Sequence, residues 1–104
     1  MSKPVARETD AHVGACSHGA SCCPHNVVGS IMGNSSTAKA GGLGVARLGD
    51  LVEHDCPHCG TGFISSACAI VEADGLFLAR LGDEVTYPGG GGMITTGSGT
   101  VTCC

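Results

Sequence analysis

Apolar positions along this chain do not recur with a sustained 3.6-residue period, so little helix is expected. What recurs is a short block. Val5-Ala6-Arg7-Glu8-Thr9-Asp10, Val45-Ala46-Arg47-Leu48-Gly49-Asp50 and Leu78-Ala79-Arg80-Leu81-Gly82-Asp83 share one order of apolar, small, cationic and acidic residues. A second element follows each block: IMGNSSTA (31–38), ISSACAIV (64–71) and ITTGSGTV (94–101) align without a gap. Ala40-Gly41-Gly42 or Ala73-Asp74-Gly75 comes next, and Leu43 or Leu76 leads back into the following block. Such self-similarity points to a structure assembled from repeats.

Each repeat reads as two short strands joined by a tight turn. Asp74-Gly75 is a hairpin turn, and Gly41-Gly42 supplies the same freedom at positive φ. Ser, Thr and Ile fill the first strand; Leu, Val and Phe fill the second. The copies are circularly offset: the chain starts with a returning strand and ends at Thr102-Cys103-Cys104 without one. Pairing the N-terminal strand with the C-terminal one closes three hairpins around a pseudo-threefold axis and removes exposed edges. The expected fold class is therefore all-β, a small closed body of three β-hairpin repeats in a single domain over 1–104. The segments between each Asp and the next Ile (11–30, 51–63 and 84–93) differ most and are expected to emerge as caps at one common end.

Composition changes this picture in one respect. The 104 residues include 18 Gly, no Trp, one Tyr and two Phe, so small side chains fill the core. Each buries little area, worth roughly 25 cal/mol per Å², and small domains of this kind commonly need a metal or cross-links. Net charge is −4 with only five Lys and Arg, which disfavours nucleic acid as a partner. No apolar run reaches membrane-spanning length, so stable membrane insertion is not expected. The opening MSKPVARETD has no apolar stretch of a secretory signal. A reducing cytosol is thus the expected place of folding, where eight Cys and five His suggest metal before disulfides.

All five His and five of the Cys lie in the first two caps. Cys23-Pro24-His25 and Cys56-Pro57-His58 stand at the offset that also separates Ala46 from Ala79. Around a common axis the two C-P-H sets would converge with two thiolates and two imidazoles, a tetrahedral set suited to one structural Zn2+. Cys56 can pair with His58 or with Cys59, and His12 or His18 can replace Cys23. Cys16 and Cys22 fit equally as small buried hydrophobes, and Cys68 reads as a core residue within a strand. Cys56-Pro57-His58-Cys59 also has the spacing of a disulfide oxidoreductase, but that motif needs a helix after it, and Gly60-Thr61-Gly62 cannot start one. The repeated Arg and Asp are expected to pair locally. Gly89 to Gly92 lacks the Lys-Ser/Thr of a phosphate loop and fits close backbone packing. No catalytic constellation emerges, so no enzyme activity is expected.

PVARETD, GVARLGD and FLARLGD resemble the Pro-Ala-Ala-Arg motif with its trailing Gly-Asp, and CPHNVVGSIMGNSS and CPHCGTGFISSA resemble the metal-bearing segments of PAAR-repeat proteins. The resemblance covers 4–102. It departs from the motif in that no copy is a full Pro-Ala-Ala-Arg, Thr9 replaces the first Gly, and the first cap is long. It implies a conical β-structure with zinc near its point. Such a body sits on a trimeric β-helical spike, VgrG-like or a phage central spike, in a type VI secretion system or contractile phage tail. A separate effector is a possible further partner. The implied localisation is the bacterial cytoplasm before assembly, then the tip of the tube, delivered across a target envelope. On this chain His25, Cys56 and His58 match the family's ligands, which are commonly three His and one Cys. Cys23 is the fourth ligand favoured by the internal repeat; His18, His12 and Cys59 are the alternatives.

Overall fold

The computed structural model describes residues 3–16, 25–33, 35, 37–54, 61–87, 90–99 and 101–103, the side chains of Cys16 and His25 apart. Among these residues the protein is all-β and contains no helix, so none is long and apolar enough to cross a membrane. Twelve short strands are arranged in two tiers.

The lower tier is three two-stranded ribbons. β1 (Lys3–Pro4) pairs with β12 (Thr102–Cys103), β4 (Lys39–Ala40) with β5 (Leu43–Gly44), and β8 (Glu72–Ala73) with β9 (Leu76–Phe77). The chain termini therefore pair, Lys3 against Cys103 and Pro4 against Thr102. The other two ribbons turn at Gly41-Gly42 (φ +63° and +85°) and Asp74-Gly75 (φ +54° and +82°). Two successive positive φ values define the type I′ turn, whose twist suits a two-residue hairpin.

The waist is built from the recurring block. Ala6 donates its N–H to the carbonyl of Ala79 (3.0 Å), Ala79 to Ala46 (2.9 Å) and Ala46 to Ala6 (2.8 Å), a closed cycle of three backbone hydrogen bonds. All three alanines are fully buried. Residues before and after them alternate as strand residues do. Val5, Val45 and Leu78 enter a lower core with Ala40, Ala73, Cys68 and Cys103, while the alanines join the upper core. Arg7, Arg47 and Arg80 reach sideways to Asp10, Asp50 and Asp83.

The upper tier is one antiparallel sheet of six strands. These are β2 (Ala11–Cys16), β3 (His25–Ser30), β6 (Leu51–Val52), β7 (Gly62–Ile64), β10 (Glu84–Tyr87) and β11 (Gly90–Ile94), in the order β3-β2-β11-β10-β7-β6. Its two outer strands meet: Ile31 bridges Val52, and the N–H of Glu53 donates to the carbonyl of Ser30 at 2.9 Å. The sheet thereby curls round on itself, satisfying edge groups that would otherwise invite another strand. Val27, Ile31, Val52, Ile64, Val85, Tyr87, Ile94 and His12 are buried within it; Val13, Val28, Leu51, Phe63 and Met93 alternate with them on the outside.

Two local expectations are corrected. At their described residues the stretches 31–38, 64–71 and 94–101, read as strands, are irregular beyond their first isoleucine. Ser35 Oγ accepts the N–H of Ala38, Ser98 Oγ that of Val101, and Cys68 Sγ lies 3.5 Å from the N of Ile70. Side-chain acceptors of this kind offer the backbone an alternative to a ladder. Cys68 is buried in the core as expected, but it sits on this turn rather than in a strand, and it is disulfide-bonded. The segments read as caps instead supply the strands of the upper sheet. Their inward positions carry Gly and His where a period-2 apolar pattern would show Val or Ile, which hid them from a search for alternation.

Candidate metal centre

Register places three strand connections at one end of the upper sheet. Cys16 at the end of β2 pairs with His25 at the start of β3 and with Gly90 at the start of β11. Tyr87 pairs with Gly90, and Val52 with Gly62. The chain therefore leaves and re-enters the sheet at this end three times: between Cys16 and His25, between Val52 and Gly62, and between Tyr87 and Gly90. Five of the candidate ligands, Cys23, Cys56, His58, His18 and Cys59, fall in the first two intervals and lie outside the described residues. His25 holds the first backbone position of β3, opposite Cys16. Among the described residues no group of three His, Cys, Asp or Glu side chains is arranged to hold a metal. Zinc takes four Cys or His ligands tetrahedrally, and the two intervals contain residues of both types.

His12 is described in full. It is the second residue of β2, opposite Gly29 and Ile94, and is fully buried inside the sheet. Its Nδ1 lies 2.8 Å from the Tyr87 hydroxyl and its Nε2 2.6 Å from the carbonyl oxygen of Glu53. A carbonyl only accepts, so Nε2 carries a proton; in the neutral ring Nδ1 then accepts from the tyrosine O–H. Acting as a zinc ligand would require His12 to give up one of these bonds. The Tyr87 ring also lies against His54, with centroids 4.9 Å apart at 57°. Sequence reasoning missed Tyr87, His54 and the Glu53 carbonyl. The available clue was in the repeat: His12 follows Asp10 by the same step as Val52 follows Asp50 and Val85 follows Asp83, so a polar ring stands where two copies have valine.

The three Arg–Asp pairs are local, as expected, but they are not exposed surface pairs. Each carboxylate is buried and receives three bonds from one arginine. Arg80 is representative: its backbone N–H, Nε and Nη2 approach Asp83 at 2.7, 3.0 and 2.8 Å. Burial pushes the Asp10 carboxyl up, but hydrogen bonds from Arg7 and Thr96 outweigh it and hold the group below its ordinary range. Hydrogen bonding to Asp10 conversely raises Arg7. Arg47 reaches further, to Asp74 at 3.2 Å, where Asp74 also accepts from Ser35 and Thr37. Guanidinium groups committed in this way brace the waist. In the lower core the Cys103 thiol is free, and burial pushes its pKa up despite the nearby Arg80.

Comparison with protein-family models and with curated proteins gave no match to this sequence. A functional reading therefore rests on the residues and the geometry alone.

Proposed function

We propose that this chain is a non-enzymatic, zinc-stabilised tip that caps and sharpens a trimeric β-helical spike, as PAAR-repeat proteins do, for membrane piercing and effector delivery. The observation that carries the reading is the hydrogen-bond cycle of Ala6, Ala79 and Ala46. Three similar blocks from one chain are joined head to tail, and a body of pseudo-threefold form matches a trimer because each ribbon can meet one subunit. The body extends 41 × 25 × 22 Å, long and narrow as a tip must be. The lower tier also exposes apolar groups: Ile70 (81% exposed), Val71, Leu76 and Val101. In this reading they face the spike, and the ligand-bearing intervals lie at the opposite, pointed end. There His25, Cys56, His58 and Cys23 would hold one Zn2+, tying loops together where so small a core cannot. Such a site contributes directly to folding free energy. The chain would be made in the bacterial cytoplasm and carried outward on the tube, with any effector bound separately.

Co-purification with a trimeric VgrG-like or phage central spike tests the reading. Binding is expected in the wild-type protein and lost in Ile70→Asp and Leu76→Asp, with one zinc per chain by elemental analysis. A zinc-loaded chain that ignores the spike would instead be a small independent zinc-binding or adaptor protein. Turnover in an insulin-reduction assay, lost in Cys56→Ser, would make it a thiol oxidoreductase.

A further inference from the structure

Cys68 stands where the other two repeats have serine. Ser35, Cys68 and Ser98 occupy one place in the repeat, and all three are buried. Their backbone N–H groups donate to the carbonyls of Val45, Leu78 and Val5, in the same cyclic order. Their side chains serve the same turn: Ser35 Oγ accepts from Ala38, Ser98 Oγ from Val101, and Cys68 Sγ lies by the N of Ile70. Serine does this better, because sulfur is a weak acceptor. What cysteine adds is the disulfide that Cys68 makes.

The repeat points to where that bond leads. Gly41, Asp74 and Cys104 occupy a second shared place, the one that begins the turn in the ribbons β4–β5 and β8–β9. Ser35 Oγ donates to the Asp74 carboxylate, so the first place in one copy meets the second place in the next. Arg47 Nη1 reaches Asp74 at 3.2 Å, and a Cβ on Gly41 would stand 3.6 Å from Arg7 Nη1, so this neighbourhood recurs round the cycle. One step on, the pair Ser35 and Asp74 becomes Cys68 and Cys104. Cys104 lies outside the described residues, but its neighbour Cys103 shares the lower core with Cys68. Cys103 itself is free, at a place held by Ala40 and Ala73. Of the other cysteines, Cys16 ends β2 far from the waist, and Cys22, Cys23, Cys56 and Cys59 fall in the intervals that open at that end.

We infer that Cys68 is bonded to Cys104 and that this disulfide is a redox latch on the third ribbon. β4–β5 and β8–β9 are each held by their own turn, whereas β1 and β12 pair over two residues with no turn between them. A covalent bond beside β12 supplies the missing tie, and it restricts the unfolded chain by closing a long loop. Two small-molecule thiols open it: they give two electrons to the bond, join as a new disulfide, and Cys68 and Cys104 each take up one proton. The inference stands apart from the zinc and spike readings.

The test begins with peptide mapping by mass spectrometry without reductant, after alkylation of free thiols. Cys68 should be linked to Cys104, with Cys103 alkylated. Cleavage after Phe63 separates Cys68 from Cys56 and Cys59, and Cys103→Ala, the residue of the other two copies, removes ambiguity between neighbours. Reduction should lower Tm by roughly 10–20 °C. Cys68→Ser restores the residue of the other copies, so its turn should survive. Cys68→Ser and Cys104→Ser should each lower Tm by a similar amount and leave no further response to reductant; Cys103→Ala should keep both bond and response. A map that joins Cys68 to any other cysteine, or finds it free in aerobically purified protein, overturns the inference. A Cys68–Cys104 bond whose reduction leaves Tm unchanged overturns the latch. Should either serine variant fail to fold, the wild-type map and the reduction of wild type carry the test.

Discussion

Replacing Thr9 by glycine should stabilise the protein. Thr9 is the third residue of a turn closed by the Asp10 N–H on the Arg7 carbonyl at 3.1 Å. Its φ is +69°, against +89° and +90° for Gly49 and Gly82 at the same place in the other copies. The left-handed conformation costs a residue with a Cβ about 1–2 kcal/mol, and β-branching makes it less welcome still. Glycine in exchange loses about 0.5–1 kcal/mol more chain entropy on folding. The net gain is about 0.5–1 kcal/mol, or roughly 2–8 °C in Tm for a chain of this size. The reciprocal changes sharpen the test. A Cβ built on Gly49 or Gly82 meets nothing within 4 Å, so Gly49→Thr and Gly82→Thr report the backbone cost almost alone. Each should lose a similar amount. Calorimetry at fixed zinc and protein concentration measures all three. A Thr9→Gly protein no more stable than wild type, beside destabilised Gly49→Thr and Gly82→Thr proteins, would refute the argument and show that the Thr9 side chain contributes what its backbone costs.

Other outcomes follow from the waist and the sheet. Asp83→Ala strips Arg80 of three bonds at a carboxylate only 4% exposed, and should cost about 2–4 kcal/mol in urea unfolding. Acid should destabilise the protein through Asp10 and Asp74. Hydrogen bonds to Ser35 and Thr37 hold Asp74 low, and those to Arg7 and Thr96 hold Asp10 low against its burial. Folded values below the unfolded one, about 3.9, mean that this stability is complete above about pH 4 and is lost as pH falls through the folded values. A urea midpoint that stayed level from pH 5 to pH 2.5 would contradict it. Gly29→Ala should destabilise by about 2 kcal/mol or more, because its Cβ would meet the Glu53 carbonyl where the outer strands of the sheet join; thermal unfolding reads this directly.

Local chemistry was legible from the chain. Gly41-Gly42 and Asp74-Gly75 had to turn, because few residues other than glycine and Asp or Asn accept successive positive φ angles. The blocks ending at Asp10, Asp50 and Asp83 announced the repeat, and their circular offset announced that the termini pair, as Lys3 and Cys103 do. The candidate zinc ligands likewise came from spacing, since C-P-H recurs at the repeat's own offset. None of this depends on knowing which strands are neighbours.

Neighbourhood was decided only by the tertiary structure. That β11 lies beside β2, and that the stretch after β3 meets β6 to curl the sheet round, follows from closing the whole chain at once; inward Gly14, Gly29, Gly62 and Gly92 carry no apolar pattern to predict it. The Arg–Asp pairs could be read as pairs, but their burial, which decides how much they are worth, depends on the other two copies packing around each. His12 and Tyr87 stand 75 residues apart and meet only inside the curled sheet. The sequence by itself determined the unit, its turns and the Cys and His types of its candidate ligands, because each is a property of a few adjacent residues. Which of those residues share one small interior was left to packing, because contact across strands is set by register and closure rather than by any local preference.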